Sequence, residues 1–165
     1  FPYTTLFRSQ QEYEKKTDER FEKVFDYIAE HNEVRQKIFF EGQIYDAFSL
    51  LVELVGSAEK SIILIDNYVD VNTLNILAKK KRNVNACIYT IKQTKLTAVD
   101  VKNFNRQYPE LEVKFTKCFH DRFLIIDGCC AYHIGASFKD AGKKCFAISL
   151  MEDRGIVKDI LQHLL

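Results

Sequence analysis

No run of apolar residues in this chain approaches the ~20 that a membrane span needs. No signal peptide opens it, so the sequence offers nothing to direct it out of the cell. There is no internal repeat and no low-complexity segment. The cysteines number five, an odd count, and no two of them stand in a CxxC pair. Cys129 and Cys130 are adjacent, and neighbours in a strand face opposite sides. This pattern argues for reduced thiols in a cytoplasmic protein and against a metal centre. No large charge excess of one sign is present, since the net charge is +1.

What remains is an ordinary globular chain. Its 165 residues suffice for one domain with a real core, and they are 47% hydrophobic and 28% charged. The charge is unevenly placed. Residues 10–31 carry four basic against seven acidic residues, net −3, whereas residues 79–117 carry ten against three, net +7. A basic segment of this kind suits an anionic partner such as nucleic acid. The plainer account, solvated helix faces, fits most of these lysines better.

The first nine residues, Phe1 to Ser9, match the conceptual translation of a common sequencing adapter, and the chain lacks an initiator Met. The expectation is a fragment whose upstream sequence has been replaced, with residues 1–9 outside the fold. Residues 10–37 form a charged connector. Thr17, Phe21, Val24 and Ile28 are spaced four, three and four apart, as in a coiled-coil seam, with Tyr13 and Phe25 widening the stripe. The same stripe would also suit packing on its own domain.

Residues 38–165 read as an α/β domain. Ile44, Ala47, Phe48, Leu51, Val52 and Val55 mark a helix ended by Gly56. Ser61 to Ile65 is a strand buried on both faces. It runs into Asp66-Asn67-Tyr68-Val69-Asp70, a polar cluster where open α/β sheets bind ligands. Asn72 or Thr73 would cap the next helix. Strands follow at Val84–Thr90 and Leu111–Phe115, separated by a helix over Thr97–Gln107. Then the rhythm changes to strands at His120–Asp127, Cys129–Ile134 and Cys145–Leu150, and a last helix capped by Asp153. This order predicts a mixed sheet flanked by helices.

The stretch from His120 to Gly128 carries the chemistry. In a strand, His120 and Arg122 share a face about 6.5 Å apart, so an imidazole and a guanidinium could grip one phosphate. Spacing alone equally allows an ordinary buried strand with a polar first turn.

His120, Arg122 and Asp127, followed by Gly135 and Ser137, resemble the HxKxxxxD motif and Gly-Ser tail of the phospholipase D superfamily. The helix, buried strand and Asp66–Asp70 cluster ahead of them are similar too. The resemblance covers about residues 38–165 and implies a phospholipase D-like mixed sheet. It implies a nucleophilic or acidic His120, a phosphate clamp at Arg122, and a weak phosphate ligand at Ser137. Asp66, Asn67 and Asp70 would face phosphate or substrate, and no metal or cofactor is called for. Asp127 has the wrong strand parity to share the His120 face, so it would orient histidine or backbone.

Three departures stand out. Arginine replaces the family lysine, with a different reach and shape. Gly135 comes one residue late and Phe138 stands where an asparagine belongs. Only one motif is present, so a complete site needs a homodimer, as in the small bacterial Nuc-type endonucleases. His133 reads as a strand histidine, and His31 and His163 lie on terminal helices.

The connector, the Phe40–Phe48 segment and Ile65–Asp70 together resemble the C-terminal region of bacterial and prophage proteins. Those begin with a KilA-N-like or "ORF-six" type DNA-binding domain, which this fragment would then lack. Two functions follow from the resemblances. One is a metal-independent phosphodiesterase, a nuclease, acting as a homodimer through a phosphohistidine. The other is a catalytically degenerate module for dimerisation or for binding nucleic acid or phosphate. Lipid hydrolysis has no membrane-facing surface to support it.

Overall fold

The computed structural model describes residues 2–31 and 35–165, and the side chains of 4–20, 35–153 and 155–165. It divides into two units, before and after Gln36. The first is one helix, α1 (Pro2–His31), which begins well ahead of residue 10. Thr17 Oγ1 donates to the Tyr13 carbonyl within it. The seam residues Phe21, Val24, Phe25 and Ile28, the side chain of His31, and residues 32–34 of the connector lie outside what is described.

The second unit is the expected mixed α/β domain. Its seven strands are β1 (Gln36–Phe39), β2 (Ser61–Ile65), β3 (Asn85–Thr90), β4 (Leu111–Phe115), β5 (Arg122–Ile126), β6 (Cys130–Ile134) and β7 (Phe146–Met151). They form one sheet in the order β1-β7-β6-β5-β2-β3-β4. The β2-β3 and β3-β4 pairs are parallel. The β2-β5, β5-β6, β6-β7 and β1-β7 pairs are antiparallel. The helices are α2 (Ile44–Ser57), α3 (Val71–Leu77), α4 (Ala98–Gln107) and α5 (Arg154–Leu164).

Central strands are buried on both faces. Leu64, Ile65, Leu124 and Ile125 have no exposed surface. Ile65, Ile125 and Ala131 pack with Val157 and Ile160 of α5. Their alternates Ile62, Leu64 and Leu124 face the other side, where α2 packs against β5 and α3. Burying a side chain of this size stabilises by about 1.5–3 kcal/mol, which is why these runs read so plainly as strands.

Several expectations need correcting. β1 was not anticipated, because only Phe39 of its four residues is buried. Its ring stacks on Phe146, its register partner in β7, at 5.1 Å. The buried stripe of α2 is Ala47, Leu50, Leu51, Leu54 and Val55. Ile44 and Phe48, expected inward, are exposed. Gly56 lies inside the last turn of α2, and Ala58 is the C-cap. The cap of α3 is Asp70, which accepts from the Asn72 amide, while Thr73 returns a bond to the Asp70 amide.

The hairpin between β5 and β6 explains the Asp-Gly dipeptide. Asp127 and Gly128 sit at φ 54° and 67°, and Cys129 N–H donates to the Ile126 carbonyl at 3.1 Å. Both central residues at positive φ are what a type I′ turn requires, and Asp-Gly is a favoured pair there. No helix among the described residues is long and apolar enough to cross a membrane.

Candidate functional site

The site lies where β2 and β6 end and β5 begins. Ile65 pairs with Phe123 across β2-β5, and Arg122 pairs with Ile134 across β5-β6. Asp66, Arg122 and the turn after β6 therefore meet at one edge of the sheet. This is the carboxyl end of its parallel strands, where α/β folds leave a crevice.

Asp66 is the hub. It is fully buried, and both carboxylate oxygens are engaged. Oδ1 accepts from Tyr68 N–H at 2.9 Å. Oδ2 accepts from Ser137 Oγ at 2.7 Å and from Phe138 N–H at 3.0 Å. Arg122 Nε stands 4.0 Å from Oδ1. A buried carboxylate needs such partners, since a buried charge without them is strongly disfavoured. Asp66 thus draws the turn after β6 onto the end of β2, and it shows no surface to a substrate.

Arg122 is held from two sides. Asp66 lies behind it, and its guanidinium carbon sits 5.5 Å from the Tyr68 ring centre. Its side chain is 24% exposed. Nε is buried without a hydrogen-bond partner among the described residues. Ser137 is buried and gives its hydroxyl to Asp66, with a longer 3.3 Å contact to the Tyr68 carbonyl. Both residues line a cleft of about 600 Å³, together with Tyr68, Ala136, Asp140, Lys143 and Lys144.

His120 is placed differently from the expectation. It lies in a bend two residues ahead of β5, is exposed, and makes no hydrogen bond through its ring among the described residues. The strand argument for a shared His120–Arg122 face therefore does not hold as drawn. The two residues are still within about 7 Å, Cα to Cα, by chain connectivity. Asn67 fixes the bend. Its Nδ2 donates to the Phe119 carbonyl at 2.9 Å, while its Oδ1 is buried and unpartnered. Phe119 packs edge-on to Phe123 at 5.9 Å.

Asp127 sits at the other end of β5, five strand residues beyond the cleft. Its Oδ1 accepts from Lys60 N–H at 2.7 Å, Ser61 N–H at 3.0 Å and Glu59 N–H at 3.1 Å. Of the two roles expected, it orients backbone and not histidine. Burial pushes its carboxyl up, but the donors of Ser61, Glu59 and Lys60 outweigh this and hold it below the usual range. Asp70, placed at the substrate by the sequence, uses its carboxylate as the α3 cap.

Sequence reasoning assigned no role to Tyr68, Asp140, Lys143 or Lys144. The Lys143-Lys144 pair, six residues past Ser137, was the available signal. The basic segment 79–117, the stretch that suggested an anionic partner, contributes no residue to the cleft lining. Lys80 Nζ bonds the Pro109 carbonyl, Lys81 pairs with Glu59, and Lys114 pairs with Glu112. His133 is the strand histidine expected, in β6. It contacts Asp121 at 3.1 Å and lies opposite Phe123 in the register, so it faces away from Arg122. The five cysteines are free thiols, and Cys129, in the turn and not the strand, brings its sulfur to 3.4 Å from that of Cys130.

No protein-family model and no curated protein matches the sequence. Solved structures do resemble the fold. NucT from Helicobacter pylori superposes with a TM-score of 0.58 at 14% identity, over 77% of this chain and 91% of its own. TrmBL2, an archaeal chromatin protein described by its mode of DNA binding, superposes with a TM-score of 0.53 at 19% identity. That match covers 94% of this chain and 60% of TrmBL2. The sheet order and flanking helices agree with the phospholipase D-like fold that the motif implied.

Proposed function

We propose that this domain is a metal-independent phosphodiesterase, acting on nucleic acid as a homodimer. The observation that carries the reading is an exposed His120 two residues ahead of Arg122, which itself lines a cationic cleft, with His133, the histidine of the neighbouring strand, facing away from Arg122. A histidine that attacks phosphorus needs a proton donor opposite, in line with the leaving oxygen. A second copy of the chain supplies one.

In the proposed reaction an imidazole nitrogen of His120 forms a bond to phosphorus as the bond to the leaving oxygen breaks. That oxygen takes a proton from His120 of the partner subunit. Water then attacks phosphorus, giving its proton to His120 of the partner subunit as the P–N bond to His120 breaks, which yields a phosphate monoester and returns both histidines to their starting states. Arg122 offers guanidinium donors to the non-bridging oxygens, where charge accumulates. Asp66 and Tyr68 restrict the direction in which those donors point. Nucleic acid as the anionic partner draws support from TrmBL2, described as DNA-binding.

A second reading rests on one observation, an exposed His120 ring that no hydrogen bond orients among the described residues. It makes the domain a binding module that dimerises a DNA-binding regulator and performs no chemistry.

Hydrolysis of bis-p-nitrophenyl phosphate in EDTA separates the two. Turnover is expected, abolished in His120→Asn, with specific activity falling as the protein is diluted below its dimer dissociation constant. A wild-type dimer with no turnover overturns the enzyme. Turnover that survives His120→Asn overturns this mechanism.

A further inference from the structure

The cleft beside Arg122 holds more than one phosphate needs. Tyr68 lines it with about half of its surface exposed, 54%, so a face of the ring is open to a ligand in the cleft. The Arg122 guanidinium lies over its ring, so the ring's orientation is restrained before any ligand arrives. Across the cleft, Lys143 is tied to Asp140 at 2.7 Å, and Lys139 reaches the same carboxylate at 3.6 Å. Lys144 lines the cleft, is exposed, and has no ion pair among the described residues. The lining thus carries three cations, Arg122, Lys143 and Lys144, against one carboxylate, Asp140.

We propose that this cleft is a subsite for the nucleotide flanking the reacting phosphodiester of a single-stranded nucleic acid, its base stacked on Tyr68 and its phosphate against Lys144. The proposal rests on the phosphodiester reading above and adds the form of the substrate. An aromatic ring beside cations is the arrangement that tracks a strand without reading its sequence, since every base has a π-face and every step a phosphate. A duplex is excluded by the same contact, because its bases are stacked on one another and show Tyr68 only their edges. A simple phosphate or a sugar phosphate would leave the ring uncovered.

Binding is measured on this 165-residue chain carrying His120→Asn, so that strands stay intact, by anisotropy of a short fluorescein-labelled single-stranded DNA and of its duplex. Single strand is expected to bind at least ten-fold tighter than duplex. Tyr68→Ala is expected to weaken the single strand by about five- to a hundred-fold, and Tyr68→Phe to bind as the parent does. Lys144→Ala is expected to flatten the dependence of log affinity on log salt by about 0.7, one phosphate's worth on a single strand. Equal affinity for duplex, an unchanged affinity in Tyr68→Ala, or an unchanged salt slope in Lys144→Ala overturns the subsite. Wild-type turnover of bis-p-nitrophenyl phosphate reports separately on the chemistry. Turnover without strand preference removes the subsite alone, and strand preference without turnover removes the enzyme alone.

Discussion

Asn67 Nδ2 donates to the Phe119 carbonyl at 2.9 Å, across 52 residues of chain. This bond ties the end of β2 to the bend that carries His120 on its next residue. The ring of Phe119 against Phe123 and the Asp121–His133 contact hold the same bend. Asn67→Ala is therefore expected to leave the core intact but loosen the bend. Its turnover of bis-p-nitrophenyl phosphate should fall about ten-fold or more in kcat, since a displacement near 1 Å at a reacting group can cost 10²-fold. The unfolding free energy should drop by only about 1 kcal/mol, one hydrogen bond's worth. An unchanged kcat would show that His120 needs no such support.

Asp66 makes a larger claim on stability. Asp66→Ala strips partners from Ser137 Oγ and from the amides of Tyr68 and Phe138, and leaves the Arg122 charge uncompensated. Removing one member of a buried charged network costs about 3–5 kcal/mol. Chemical denaturation should show that loss, with Asp66→Asn closer to the parent because it keeps an acceptor. A loss below about 1 kcal/mol would mean that the turn after β6 holds without the carboxylate.

The same residues show what a sequence can and cannot disclose. β4 was legible because Leu-Glu-Val-Lys-Phe alternates and Pro109 stops the helix before it. Thr97 was legible as a cap, and Asp100 three residues on completes its capping box. β1 was not, since Gln36, Lys37 and Ile38 are exposed and the strand exists because β7 offers a free edge. His120 and Arg122 stood out by type and spacing. The burial of Asp66 did not, because Ser137, which closes over it, lies 71 residues away. A carboxylate at the end of a strand looks like a ligand until the residue that covers it is known.

Asp127 gives the protein an acid-sensitive joint. Its folded carboxyl is held below the ordinary value of 3.8, because the amide bonds from Ser61, Glu59 and Lys60 outweigh burial. The unfolded chain therefore takes up the proton first as pH falls. The stabilisation is present above the unfolded value and is lost as pH drops through the folded one. Asp127→Asn tolerates the left-handed φ but cannot ionise. It is expected to be less stable by about 1–2 kcal/mol at neutral pH, with the gap to the parent closing below about pH 4. Parallel pH–stability curves across that window would count against the carboxylate's role.

Gly142 holds the cationic rim of the cleft in place. Its carbonyl accepts from Gly42 N–H at 3.0 Å, docking the Lys143–Lys144 turn onto the start of α2. A Cβ at Gly142 would lie 2.6 Å from the Gln43 carbonyl oxygen and from Ile44 Cα, with φ at 85°. Both neighbours are backbone and cannot swing away. Gly42 has nearly the same φ, 89°, yet nothing lies within 4 Å of its Cβ position. Gly42→Ala thus carries only the conformational penalty, about 1 kcal/mol. Gly142→Ala carries that penalty and the overlap, and should cost about 2 kcal/mol more, as overpacking typically does. Only Gly142→Ala should also weaken single-strand binding, because the turn must move and Lys144 moves with it. Equal stability of the two variants, or equal strand affinity, would detach the rim from the contact with Gly42.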